Sequence, residues 1–178
     1  MSSEAAQLIP AWIDGALAPV DKLDAHRRAL RHPAVSVFVL DGPRTLIQRR
    51  ALSKYHTPGL WANAVCTHPH WGEGAEACAR RRLAEELGVH GLALQPRDRV
   101  EYRAEVGGGL VEHEVVSLFV AEAAPGLALR PDPAEVMATR WIDLAQLRAE
   151  IAERPEAFTP WLRIYLADHA GQIFGKAA

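Results

Sequence analysis

Between Asn63 and Val89 the chain sets two cysteines, two histidines and a run of carboxylates in an order that few structural needs explain. It reads Asn63-Ala-Val-Cys66-Thr-His68-Pro-His70-Trp-Gly-Glu73 and leads straight into Glu76, Arg81, Arg82, Glu85 and Glu86. Ala75, Ala79, Leu83 and Leu87 recur every four residues and Gly88 follows as a stop, so the spacing predicts an amphipathic helix from Gly74 to Leu87. On it Arg81 stands four residues before Glu85 and Arg82 four before Glu86, the interval of ordinary surface ion pairs. The acids, however, crowd the helix C-terminus, where the macrodipole disfavours negative charge unless a cation compensates. A divalent ion held by these carboxylates and bridging to substrate phosphates would do so, and such oxygen ligands suit Mg²⁺.

A second concentration lies in Leu110-Val-Glu112-His-Glu114-Val-Val. Strand alternation puts Glu112 and Glu114 on the face of Leu110, Val116 and Leu118, so both carboxylates would point inward and need a metal or nearby cation. The opposite face, Val111, His113, Val115 and Phe119, is also apolar, which leaves open that the acidic face is the solvated one. His26, His32 and His68 supply imidazoles that could join these carboxylates in a metal site of mixed nitrogen and oxygen donors. Cys66 is either a packed thiol or a reactive one, and its neighbour His68 favours the second reading. Cys78 reads as packing.

The elements that position these groups can be read around them. Val35 to Leu40, the turn Asp41-Gly-Pro and Thr45 to Arg49 read as a hairpin. Val100 to Ala104 and Leu110 to Val120 read as another, about Gly107-Gly-Gly109. A short strand at Met137 to Trp141, a helix at Leu144 to Ile151 and a last helix near Pro160 complete the pattern. Strands in the middle with helices between and after them predict an α/β sandwich with a mixed sheet, and no linker divides the 178 residues, 1–178, into more than one domain.

Bulk properties restrict the partners. A net charge of −2 gives no global field for nucleic acid or an anionic membrane, so an anion site must be local. Residues 1–20 lack the basic start of a signal peptide, and the longest strongly apolar run, Val35 to Leu40, is far below a membrane span. A cytoplasmic protein is expected. Oligomeric state is open, a monomer included.

The helix and its approach resemble the Nudix box at Glu73, Arg81, Leu83, Glu85, Glu86, Gly88 and Val89. Thr67 replaces the first glycine of that box, and Arg82 stands where the hydrolases of the superfamily carry a metal-binding glutamate. Further segments carry the resemblance over nearly the whole chain: Arg49 to Lys54, Pro58 to Asn63, Val65 to Pro69, Tyr102-Arg-Ala, Glu112-His-Glu114, Glu135-Val-Met and Phe158 to Trp161. Together they resemble the type I isopentenyl-diphosphate isomerases, a branch of the Nudix superfamily.

That resemblance implies a Nudix-type α/β/α sandwich and a 1,3-allylic proton transfer converting isopentenyl diphosphate to dimethylallyl diphosphate. It implies that His26, His32, His68, Glu112 and Glu114 bind one divalent metal, Mn²⁺ in first place with Zn²⁺ or Mg²⁺ as alternatives, and that Glu86 binds a Mg²⁺ meeting the diphosphate. Cys66 and Glu114 would be the catalytic pair, Tyr102 would assist Glu114, and Trp161 would lie against the reacting carbons. Which of the pair is acid and which is base stays open. Moving an unactivated double bond needs one proton delivered and another removed two carbons away, hence two groups across the substrate. The tertiary carbocation between them needs a π-rich or negative surface and exclusion of water. Lys22, Arg50, Lys54 and Arg82 are the basic residues expected to clamp the diphosphate. The alternative within enzymes is a Nudix hydrolase cleaving a nucleoside or other small diphosphate, which Glu85-Glu86 favours and Arg82 opposes.

Overall fold

The computed structural model describes residues 7–175. Its strands are β1 (Leu8–Ile13), β2 (Ala16–Asp21), β3 (Arg31–Asp41), β4 (Arg44–Arg50), β5 (Trp61–Asn63), β6 (Val65–Thr67), β7 (Gln95–Gly107), β8 (Leu110–Glu122) and β9 (Val136–Asp143). Its helices are α1 (Lys22–Arg27), α2 (Ala75–Leu87), α3 (Leu144–Glu153), α4 (Pro160–Asp168) and α5 (Ala170–Phe174), with a 3-10 turn at Pro155–Ala157. The main sheet runs β5-β4-β3-β8-β7, with β6 also on β3 and β9 also on β4. β3 and β8 are parallel and the remaining pairs antiparallel, so the sheet is mixed, as expected.

Each face of this sheet is covered. One core joins Phe38, Tyr102, Val116 and Leu118 to Trp161, Leu162, Tyr165 and Ile173 of α4 and α5. The other joins Val35, Val37, Val39 and Leu46 to Cys78, Ala79, Leu83 and Leu87 of α2. The arrangement is an α/β/α sandwich. The long apolar run of β3 follows from this double coverage, since a strand buried on both faces has no polar alternate.

The first hairpin differs from its sequence reading. β3 and β4 pair only at Leu40–Thr45 and Asp41–Arg44. Beyond the turn β4 leaves to lie between β5 and β9, and its place beside β3 is taken by β6. The turn residues were legible, but strand pairing beyond them depends on segments distant in sequence. The second hairpin holds over most of its length, with register shifts between Pro96 and Arg99 and between Glu105 and Gly107.

The β1–β2 hairpin and α1 had no clear sequence signature. Pro10 faces Pro19 in that hairpin, so neither strand has the uninterrupted β-forming composition that usually announces one. Asp21 caps α1, its Oδ1 accepting from the N–H groups of Leu23 and Asp24 at 3.0 and 3.1 Å. Helix α2 matches expectation, and Gly88 ends it at φ 64° while its N–H and that of Val89 return to the carbonyls of Ala84 and Leu83, each at 3.0 Å. A Cβ at Gly88 would lie 2.7 Å from Arg130 Cβ and 2.9 Å from Arg130 O, so close approach as well as backbone sign requires glycine there.

Candidate active site

Three elements deliver the imidazoles. His26 comes from α1, His32 from the start of β3 and His68 from the residue after β6. All three are buried, and their ring centroids lie 4.9 Å from one another. Nδ1 of His26 sits 2.6 Å from Lys22 O and Nδ1 of His32 2.7 Å from Leu30 O. Each of those nitrogens must carry its proton to donate to a carbonyl, which leaves the lone pair on Nε2; both Nε2 atoms are buried without a hydrogen-bond partner. Carbonyl-anchored tautomers with a free nitrogen facing a common point are how proteins hold imidazoles for a metal.

The carboxylates arrive from β8, whose alternation buries Leu110, Glu112, Glu114, Val116 and Leu118 together. The inward reading of the two acids is correct. Glu114 meets the imidazoles because the parallel ladder sets it directly opposite His32, and its Oε1 lies 2.8 Å from His68 Nε2. Donor atoms of His26, His32, His68 and Glu114 all lie within 4.8 Å of one another. Glu112 falls in an overlapping group with His26 and His56. Orphaned nitrogens plus two buried acids fit a divalent cation of intermediate softness, which would neutralise the acids and fix the imidazoles. Burial, followed by the neighbouring imidazoles, holds His26 down to about 4 and His68 well below the usual imidazole range, so both are neutral and able to donate near neutrality.

Tyr102, from β7, places its hydroxyl 2.9 Å from Glu112 Oε2 and 2.7 Å from Glu114 Oε2. A hydroxyl has one proton, so it serves both acids only if one of them is itself protonated and donates to it. Burial and the neighbouring Glu114 push the Glu112 carboxyl well above the usual range, which makes it the acid that keeps a proton.

Cys66 sits on β6 opposite Ser36 of β3. Ser36 Oγ donates to Cys66 Sγ at 3.3 Å and lies 2.9 Å from the Tyr165 hydroxyl, so a line of two hydroxyls backs the thiol. Burial, then Glu114 and Glu112, push the thiol well above its usual range and keep it protonated. Neither Ser36 nor Tyr165 was legible, the one lying in an apolar strand and the other in the core stripe of α4. Trp161 is buried, with the Arg50 guanidinium 5.3 Å from its ring centroid and the His56 ring edge-on at 5.9 Å.

Cys66, Glu112, Glu114, His68, His56 and Trp161 border a small cavity of about 30 Å³, whose wall also includes Lys22, Arg50, Lys54, Arg82 and Glu86. All four expected bases are therefore present. Burial, followed by the charges of Lys54, Arg82 and Arg50, lowers the Lys22 ammonium to about 8. The acids nearby are already engaged: Glu86 accepts from Gln48 Nε2 at 2.7 Å and Arg82 Nε at 2.9 Å, while Glu135 pairs with Lys54 and, at 2.9 Å, with Arg82.

Both helical ion pairs read from spacing are formed, Arg81–Glu85 at 3.1 Å and Arg82–Glu86 at 2.6 Å. Arginine is thus one source of positive charge beside the carboxylates at the C-terminal turn of α2. Glu73 holds α2's approach instead, binding Arg81 through both oxygens at 2.7 and 2.8 Å, which lowers its carboxyl to about 2. Cys78 is buried packing, as expected. Trp71 is half exposed and lines a groove.

Two residues in the cavity wall had no assigned role at the level of sequence. His56 and Tyr55 occupy the loop between β4 and β5, where no periodicity marks an inward side chain. Thr57 beside them has φ 46° and its Oγ1 lies 3.1 Å from His56 Nδ1, so the turn and the imidazole are fixed together.

Residues 30–162 match the NUDIX domain family. Isopentenyl-diphosphate Delta-isomerase of Dinoroseobacter shibae is 64% identical over 171 residues, covering 96% of this chain and 97% of the relative. The enzyme of the same name from Rhodobacter capsulatus is 57% identical over 170 residues, again covering 96% and 97%. Among solved structures, a Deinococcus radiodurans protein superposes with a TM-score of 0.71 at 19% identity, covering 89% of this chain and 96% of that one. A MutT NUDIX hydrolase from Burkholderia pseudomallei gives 0.61 at 23% identity, covering 78% and 98%. These two speak for the sandwich alone, whereas the relatives match along nearly all of both chains. Fold, box helix and full-length identity agree: the chain belongs to the Nudix family and, within it, to the isopentenyl-diphosphate Delta-isomerases.

Proposed function

We propose that the chain, acting as one folded unit, converts isopentenyl diphosphate to dimethylallyl diphosphate by protonation and deprotonation, with Cys66 and Glu114 as the two proton-transfer groups. One observation carries this reading: a protonated thiol and a buried carboxylate with a shared tyrosine border the same cavity as four basic side chains and an indole. Lys22, Arg50, Lys54 and Arg82 bind the diphosphate, helped by a Mg²⁺ at Glu86. Charge-assisted bonds to phosphate oxygens are the strong kind, and crowding of these cations is relieved when a dianion enters.

The carbon skeleton then lies against Trp161, Cys66 and Glu114. Tyr102 holds the Glu114 carboxyl in place and carries a proton between it and Glu112. The ring face of Trp161 supports positive charge at the tertiary carbon; the contact contributes about 2 kcal/mol when desolvated, so oriented carboxylate charge and exclusion of water must supply more. His26, His32, His68, Glu112 and Glu114 hold a divalent ion, Mn²⁺ in our reading, with Zn²⁺ and Mg²⁺ as alternatives. When bound, that ion fixes the ionisation state and orientation of Glu114.

The test is conversion in D₂O with Mg²⁺. Dimethylallyl diphosphate carrying deuterium, with no phosphate released, is expected. Phosphate or pyrophosphate release without isotope incorporation would sink the isomerase reading and promote a hydrolase. Arg82 argues against the hydrolase, because it stands where the hydrolases of the superfamily carry a metal-binding glutamate.

Substrate affinity should also depend on alkaline pH. Lys22 is lowered to about 8 in the free chain, so it loses its charge as pH rises through that value and regains it when the diphosphate raises its pKa. KM is expected to climb above pH 8 and binding to take up a proton there. A KM flat from pH 7 to 9.5 would remove Lys22 from the clamp.

A further inference from the structure

Behind Cys66 stands a line of hydroxyls whose direction follows from counting protons. Tyr165 of α4 is fully buried, its ring edge-on to those of Phe38 at 5.7 Å and Tyr102 at 5.8 Å, and its hydroxyl lies 2.9 Å from Ser36 Oγ. Ser36, also buried, lies 3.3 Å from Cys66 Sγ. Each of the three groups carries one proton. If the thiol donated to Ser36 and Ser36 to Tyr165, the phenol proton would have no acceptor among the described residues, and a buried donor without a partner is costly. Run the other way, Tyr165 donates to Ser36, Ser36 donates to sulfur, and the thiol proton is left free for the cavity that Cys66 borders.

We propose that Tyr165, acting through Ser36, is a positioning residue for the Cys66 thiol: it makes Ser36 a donor toward sulfur and so keeps the S–H bond aimed at the substrate. The inference rests on the reading of Cys66 as a proton-transfer group. When the thiol proton passes to carbon, the S–H electron pair stays on sulfur. The Ser36 hydroxyl, its oxygen already accepting from Tyr165, donates to that charge, and both hydroxyls keep their own protons. The same donor serves when sulfur takes a proton from carbon, so the direction of the line holds for either order of transfer. Hydrogen bonds to charged groups are the strong kind, and a donor whose own oxygen accepts a bond is polarised further. Helix α4 thereby serves the reaction twice, with Trp161 on the cavity and, one turn on, Tyr165 behind the thiol.

The experiment compares Tyr165→Phe, which deletes only the hydroxyl, with the parent chain. It reads steady-state kinetics with isopentenyl diphosphate and Mg²⁺, and the infrared S–H stretching band of Cys66 in a Cys78→Ala background. In the variant Ser36 is free to turn and accept from the thiol, so the S–H band should move to lower frequency. Turnover should fall by roughly 10-fold with KM unchanged, the mark of an interaction made in the transition state alone. In a Ser36→Ala chain, where the line is already cut, adding Tyr165→Phe should cost nothing further. An unmoved band overturns the proposal, as does an equal loss of turnover with or without Ser36, which is the mark of packing. If Tyr165→Phe does not fold by circular dichroism, Ser36→Ala alone decides. Its S–H band should hold its frequency; a rise would show that the thiol had been donating to Ser36 and overturns the direction assigned. Cys66→Ala with wild-type turnover sinks the underlying reading of Cys66. Wild-type turnover and band in Tyr165→Phe, with Cys66→Ala inactive, sink only the role of Tyr165.

Discussion

Replacing Cys66 with alanine is expected to lower turnover by roughly 10²- to 10⁴-fold, the worth of a positioned proton-transfer group, while the chain still folds. The thiol is only half-buried and its one polar contact is with Ser36, so its removal leaves a small void and no buried charge. A loss of about 1 kcal/mol would shift the melting temperature of a chain of this size by roughly 2–4 °C. Rate and melting temperature measured on the same preparation separate the two roles. Activity within tenfold of wild type would assign Cys66 to packing. Cys78→Ala is the matching control, because that thiol is fully buried among α2 and β-sheet side chains and does not line the cavity that Cys66 borders; it should cost stability and spare the rate.

The second large effect belongs to Glu114→Gln. Glu114 stands where the His68 contact at 2.8 Å, the Tyr102 contact at 2.7 Å and the cavity meet, so one side chain joins metal cluster, tyrosine and substrate space. The amide keeps the volume and loses the charge. Turnover should fall by roughly 10³-fold or more, and divalent-metal affinity by roughly 10- to 100-fold, read by chelator competition. Activity persisting at high added metal would show that the carboxylate serves the ion alone and would remove it from proton transfer.

How far these groups could be seen beforehand depended on the period of the element bearing each one. Glu112 and Glu114 were legible because β8 alternates strictly, and Gly88 because it ends a four-residue repeat in α2. The clamp residues Arg50 and Lys54 were legible from position, since they flank the approach to β5. His56 was not, because it lies in a loop whose direction is set by a left-handed Thr57 and by Arg50, which donates to His56 O at 3.2 Å. Ser36 and Tyr165 were hidden for the opposite reason, as single polar atoms inside strongly apolar patterns. The path of β4 away from β3 was beyond local reading, since it depends on β5, β6 and β9. Among the described residues no helix is long and apolar enough to cross a membrane, in agreement with the absence of such a run in the sequence.

The register that sets His32 against Glu114 has a consequence for how the molecule matures. β3 and β8 are parallel, so no tight turn can bring them together, and their pairing must close a long loop that includes α2 and most of the cavity wall. A slip of one residue would turn Glu112 and Glu114 to the other face. Nascent or misregistered chains therefore cannot present the full donor set, and tight cation uptake should rise only as the last long-range pairing is completed. Metal loading, followed in time during refolding, would then act as a clock for the slowest step of assembly.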